Sequence, residues 1–257
     1  MAIISLWLLR RCRASGVLTY KSNNVRLCSQ FFYQLSTTAA AEKQAFDVDQ
    51  AASLVKDLRN NFHSGKTKSY EWRVVQLQRT MRMLEENQKK IVEALYKDLA
   101  KPEPESFLWE ISMTKASCKL ILEQLQGWMM PEKVKTNSAT MSLSSAEIVS
   151  EPLGVVLVIH PGTFHFVMAI HLLIDVLCIF PVLSLDPVIG AIAAGNTVVV
   201  KPSEISSATS SVLSNLLEEY VDNSAIRVVE GSVAETSALL EQKWDKIFFT
   251  AKFLAIY

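Results

Sequence analysis

Lys201-Pro202-Ser203-Glu204 brings an ammonium, a rigid turn and a carboxylate together directly after the β-branched run Thr197-Val198-Val199-Val200. A dinucleotide needs donors for its pyrophosphate and a carboxylate for its ribose hydroxyls, both at the carboxyl ends of parallel strands. Lys201 and Glu204 are expected at such an end. Spacing alone also fits the solvated turn of any α/β protein. Other reactive side chains are scattered. Cys12, Cys28, Cys118 and Cys178 show neither paired nor metal-type spacing, so a disulfide framework is not expected and reduced thiols are. Cys178 stands between Leu177 and Ile179 in an apolar run, the setting of a packed thiol. His160, His165 and His171, with Asp175 a helical turn after His171, match no standard ligand pattern, and no metal is expected.

Elements of an α/β fold must position these groups. Apolar residues at Val48, Ala52, Val55, Leu58 and Phe62 recur at helical spacing, ending near Gly65. A second stripe, Leu77 to Leu99, predicts one helix stopped by Lys101-Pro102. A third runs from Phe107 to Leu125 and closes at Gly127 and Pro131. After a polar linker at 136–145, strands are predicted at 155–159, 197–201, 227–230 and 246–250. Helices alternate with them at 187–194, 207–221 and 233–241, the pattern of parallel strands with crossover connections. Ser203 and Ser206 are the expected caps of the helix at 207.

The order of several landmarks adds a lineage. Lys68-Ser69-Tyr70-Glu71-Trp72-Arg73, Ala94-Leu95-Tyr96-Lys97-Asp98-Leu99, Ser150-Glu151-Pro152-Leu153-Gly154, the Lys201 turn and Gln242-Lys243-Trp244-Asp245 together resemble aldehyde dehydrogenases, most closely class 3 enzymes of the plant type. The resemblance implies amino-terminal helices followed by a Rossmann-like parallel sheet, with NAD or NADP as cofactor. Lys201, Ser203, Glu204 and Gly231 would then be cofactor contacts, Gly231 letting the adenine end approach the backbone. The expected divisions are a leader at 1–41, a helical part at 42–135 and a partial cofactor-binding region at 136–257.

The family oxidises aldehydes through a cysteine thiolate in a Gly-Gln-x-Cys context and a base in a Glu-Leu-Gly-Gly context. Neither context occurs in these residues, and no Gly-Gly pair does. His160–Cys178 is foreign to the family pattern, and Ile179 stands in the slot of an oxyanion-binding Asn. A foreign stretch with an early end resembles a splice or gene-model product. Expected behaviour is therefore weak or absent nucleotide binding without turnover. The alternatives are an interaction protein that modulates a full-length relative, self-association, or an unstable product.

Zero formal net charge argues against a nucleic-acid partner. Residues 1–41 carry five basic side chains, no acidic one and eight Ser or Thr, a transit-peptide composition. Plastid import is the first expectation, with mitochondrion or cytoplasm as alternatives. The apolar stretch at 164–185 is long enough to suggest a membrane span, but His171 and Asp175 near its middle and Pro181 argue against one.

Overall fold

The computed structural model describes residues 46–134, 146–160 and 180–249, and from Phe46 onward these belong to one unit. The expected leader, the linker at 136–145 and most of the foreign stretch lie outside the described residues. Helix α1, Val48–His63, starts where Asp47 accepts the Gln50 amide at 2.8 Å and buries Ala51, Val55, Leu58 and Phe62. A 3₁₀ turn, Lys66–Lys68, leads to α2, Tyr70–Glu86, capped by Ser69 at 3.1 Å from the Trp72 amide.

The single helix predicted from Leu77 to Leu99 is two. Asn87 leaves helical geometry (φ −115°, ψ 22°), and its Nδ2 donates to the Met83 carbonyl and to Tyr220 Oη, both at 3.1 Å. A short amide side chain competing for a backbone carbonyl breaks the helix without breaking its apolar stripe. Helix α3, Gln88–Leu99, then ends at Ala100 in the left-handed region, before Lys101-Pro102 as predicted. A turn at Glu103–Glu105 and a π-helical stretch at Ser106–Ser112 lead into α4, Met113–Met129, which passes Gly127 by two residues. Lys101 and Glu110 form a buried ion pair across this entry.

Strands β1, Glu132–Val134, and β2, Ala146–Ile148, pair antiparallel on either side of the predicted linker. The main sheet is parallel, with β3 at Val155–Ile159, β4 at Thr197–Lys201, β5 at Ile226–Val228 and β6 at Lys246–Phe249. Its order is β5-β4-β3-β6, so successive strands run one way from β3 to β5 and the chain then returns to the other side of β3. That reversal is the switch point at which open α/β sheets bind ligands. Between the strands lie α5, Phe180–Ala193, α6, Ser207–Tyr220, and α7, Val233–Leu240. Helix α5 passes through Pro187, where the helix was predicted to begin. Proline suits a first turn, but its fixed φ is also helical, and here it gives up one hydrogen bond within the helix.

The central strands β3 and β4 are buried on both faces, whereas β6 is exposed. Val156, Val158, Val198 and Val200 pack with Trp72, Leu77, Leu125, Ile192 and Leu217, whereas Val155, Leu157, Ile159 and Val199 pack with Ala51, Leu58 and Leu239. This is a three-layer α/β/α arrangement, the expected fold class. No helix among the described residues is long and apolar enough to cross a membrane; most of 164–185 falls outside them.

The cap of α6 differs from expectation. Ser206 stands at the cap position but its hydroxyl makes no cap bond, and the Ser203 hydroxyl accepts from Ile205 instead. Asp98, on α3, accepts the Ala208 and Thr209 amides at 3.2 and 2.7 Å. A carboxylate at a helix amino terminus satisfies orphan donors and opposes the positive end of the dipole. Replacing Asp98 with Ala should destabilise the chain by about 1–2 kcal/mol, whereas Ser206→Ala should change little. Denaturant unfolding of the two variants checks this, and equal losses would return the capping role to Ser206.

Candidate cofactor-binding site

Strand β4 delivers Lys201 to the carboxyl edge of the sheet one strand from the switch point. The residue is 2 % exposed. Its Nζ donates to the Pro202 carbonyl at 2.7 Å and to Glu204 Oε2 at 3.3 Å. Both partners are local, and the Glu204 side chain is 45 % exposed, so its carboxylate faces solvent while remaining tied to the ammonium. An ammonium has three N–H groups, and two are used here. Ser203 is buried. Its hydroxyl holds the turn through the Ile205 amide, and its carbonyl accepts Ser210 Oγ at 2.6 Å, so the side chain shapes the turn that aims Lys201 and Glu204.

Gly231 follows β5 with φ +151°, a value that side-chain-bearing residues rarely adopt. A Cβ there would fall 2.3 Å from Cγ of Glu235. Glu235 is held in turn: the Ser232 amide donates to its Oε2 at 2.6 Å and the Ser232 hydroxyl at 3.3 Å, a capping box at the start of α7. Partial burial pushes its carboxyl up, but the Ser232 bonds and the charge of Lys201 more than offset this and hold it below the usual carboxylate range. Lys201, Glu204, Gly231 and Glu235 thus share one edge of the sheet. Sequence reading missed Glu235, although Ser232-x-x-Glu235 is the capping-box signature.

The remaining expected chemistry lies elsewhere. Cys178 and Ile179 are outside the described residues. His160, at the end of β3, is buried, and its amide donates to the Lys201 carbonyl at 3.0 Å. Cys118, the only described cysteine, is fully buried on α4. Burial, followed by the nearby Asp186 charge, pushes its thiol up to about 12, far from a nucleophilic thiolate at neutral pH.

Residues 32–253 match the aldehyde dehydrogenase family. The chain belongs to that family. It is 55 % identical over 225 residues to aldehyde dehydrogenase family 3 member I1, chloroplastic, of Arabidopsis thaliana, covering 88 % of this chain and 38 % of the relative. Family 3 member H1 of the same plant is 53 % identical over 210 residues, covering 82 % of this chain and 40 % of the relative. Among solved structures, a substrate-bound Staphylococcus aureus AldH superposes with a TM-score of 0.68 at 32 % identity, over 77 % of this chain and 40 % of that one. The chain therefore spans about two-fifths of the length of the relatives it matches.

Within this family edge, Gly231→Ala should cost roughly 1–3 kcal/mol, because it combines an unfavourable φ with expulsion of Glu235 from its cap. Thermal unfolding reads the loss. A variant as stable as the parent would show that Glu235 yields freely and that the glycine is not required by the backbone.

Proposed function

We propose that this chain holds the adenosine end of a nicotinamide dinucleotide, as part of an aldehyde dehydrogenase that converts medium-chain or fatty aldehydes to carboxylic acids. The supporting observation is the buried Lys201 ammonium at the carboxyl end of a parallel strand, tied to a solvent-facing Glu204, with Gly231 one strand away. The donor set fits the group. Glu204 would accept from ribose hydroxyls, Lys201 would donate its remaining N–H, and Gly231 would admit the nucleotide close to the backbone. When bound, the dinucleotide accepts hydride from the substrate. The family's nucleophile and base contexts do not occur in these 257 residues, and Cys118 is packed and protonated. The chain by itself should therefore bind NAD or NADP weakly and turn nothing over.

A second reading rests on β6. This strand pairs only with β3 among the described residues, and Ile247, Phe248 and Phe249 are 43 %, 43 % and 50 % exposed. Unpaired strand edges carrying apolar side chains favour association. Another aldehyde dehydrogenase chain or a second copy of this one would cover that edge, which supports an interaction role alongside nucleotide binding.

Calorimetric titration with NADH and NADPH tests the first reading. Weak saturable heat with either, lost in Lys201→Met at unchanged thermal stability, is expected. Absorbance at the reduced-nicotinamide band should stay at the buffer blank with hexanal and longer aldehydes. Binding unaffected by Lys201→Met would remove the site, and turnover above the blank would remove the claim that the isolated chain is inactive.

The composition of residues 1–41 and the chloroplastic relative support plastid import. Fused ahead of a fluorescent protein, residues 1–41 should direct it to plastids; a diffuse cytosolic signal would reject the leader.

A further inference from the structure

Glu235 combines two features that matter to a phosphorylated ligand. It takes the Ser232 amide at the amino terminus of α7, a position where free amides and the helix dipole would otherwise favour an anion. It also lies against Gly231, the position at which a nucleotide would approach the backbone. Lys201, whose charge reaches it, is already tied to Glu204. The edge thus carries one ammonium and two carboxylates, and the Ser232 amide at the start of α7 is taken by the chain's own side chain.

We propose that Glu235 is a specificity-determining residue that discriminates against a nucleotide bearing a 2′-phosphate. The proposal rests on the adenosine-site reading given above. A ribose 2′-hydroxyl can donate to a carboxylate, whereas a 2′-phosphate brings up to two negative charges toward Glu204 and Glu235 and must displace the latter to reach the α7 amides. If the Glu235 carboxylate swings away from Gly231, the Ser232 amide loses the bond it makes there. Discrimination therefore comes from the charge of Glu235 as well as its place.

The test uses the full chain and two probes restricted to the adenosine end, adenosine 5′-monophosphate and adenosine 2′,5′-bisphosphate, followed by protein-detected NMR titration. The unmodified chain should bind the monophosphate more tightly. Glu235→Gln keeps a capping side chain and removes the charge. It should leave monophosphate affinity unchanged within about twofold and tighten the bisphosphate roughly two- to fivefold, the scale of one solvent-screened charge pair. That gain should shrink as salt is raised. Glu235→Asp retains the charge and should retain the discrimination. An unchanged affinity ratio in Glu235→Gln, with both probes still binding, would overturn the role of Glu235 and leave the adenosine site standing. An Asp variant that behaves like the Gln variant would overturn it too, by showing that the cap and not the charge matters. Failure of both probes to bind the unmodified chain would instead sink the adenosine site and this proposal with it.

Discussion

The buried guanidinium of Arg73 is the interaction on which the sheet most depends. It is 6 % exposed and, among the described residues, meets no carboxylate; its N–H groups go to the carbonyls of Thr67 at 3.3 Å, Lys68 at 3.0 Å and Ala193 at 3.0 Å. Burial alone lowers its pKa. The three carbonyls come from the turn before α2 and from the carboxyl end of α5, where the helix dipole favours a cation. Gly195 packs on the guanidinium so closely that a Cβ would lie 2.5 Å from Nη2, and its φ of +85° needs glycine as well. Two residues later β4 begins, in register with β3 through Val155 and Thr197. The position of Lys201 at the far end of β4 is therefore inherited from a helix more than a hundred residues earlier.

Arg73 belongs to a wider pattern along the amino ends of the strands. Before β3, Asn196 Oδ1 accepts the Gly154 amide at 2.9 Å, and Asp245 Oδ2 accepts the Val155 amide at 2.8 Å while pairing with Arg59 of α1 at 2.9 Å. A Cβ on Gly154 would lie 2.2 Å from that carboxylate, so glycine permits β6 to approach β3. Before β5, Asp222 accepts from Trp72 Nε1 at 2.9 Å and pairs with Lys66 at 2.6 Å. Its partial burial would raise the carboxyl pKa, but these bonds and those from Ser224 hold it well below the ordinary range. Each strand thus starts in a polar clamp contributed by the helical part. At the opposite, carboxyl edge lie Lys201, Glu204 and Gly231, the edge where ligands enter such folds.

What the sequence revealed and concealed follows from the range of the forces involved. Strands β3 and β4 were readable to the residue because each is an unbroken β-branched run, buried on both faces, between turn signals. The end of α3 was readable from Lys101-Pro102, a local steric rule. The break at Asn87 was not, because one of its two bonds goes to Tyr220, distant in sequence. The same holds for α6, whose cap comes from Asp98 on α3. The three-residue strands β1 and β2 carry too little periodicity to register. At the site, the Lys201 turn is legible from its composition, whereas the contact of Glu235 with Gly231 arises only in the folded chain.

Arg73 and Lys201 are both buried cations, and they differ in the reach of their partners. Arg73 joins segments far apart in the chain, so removing it would leave buried carbonyls unpaired in two places at once. Among the described residues, the Lys201 ammonium donates to Pro202 and Glu204, both within its own turn, and ties no distant segment. An ion pair with one member buried gains little against the cost of desolvation. The Lys201 ammonium is thus poorly explained as a source of stability. On the proposed nucleotide-binding reading, a ligand would supply the third hydrogen bond and share Glu204, a role that the local partners of Lys201 leave open.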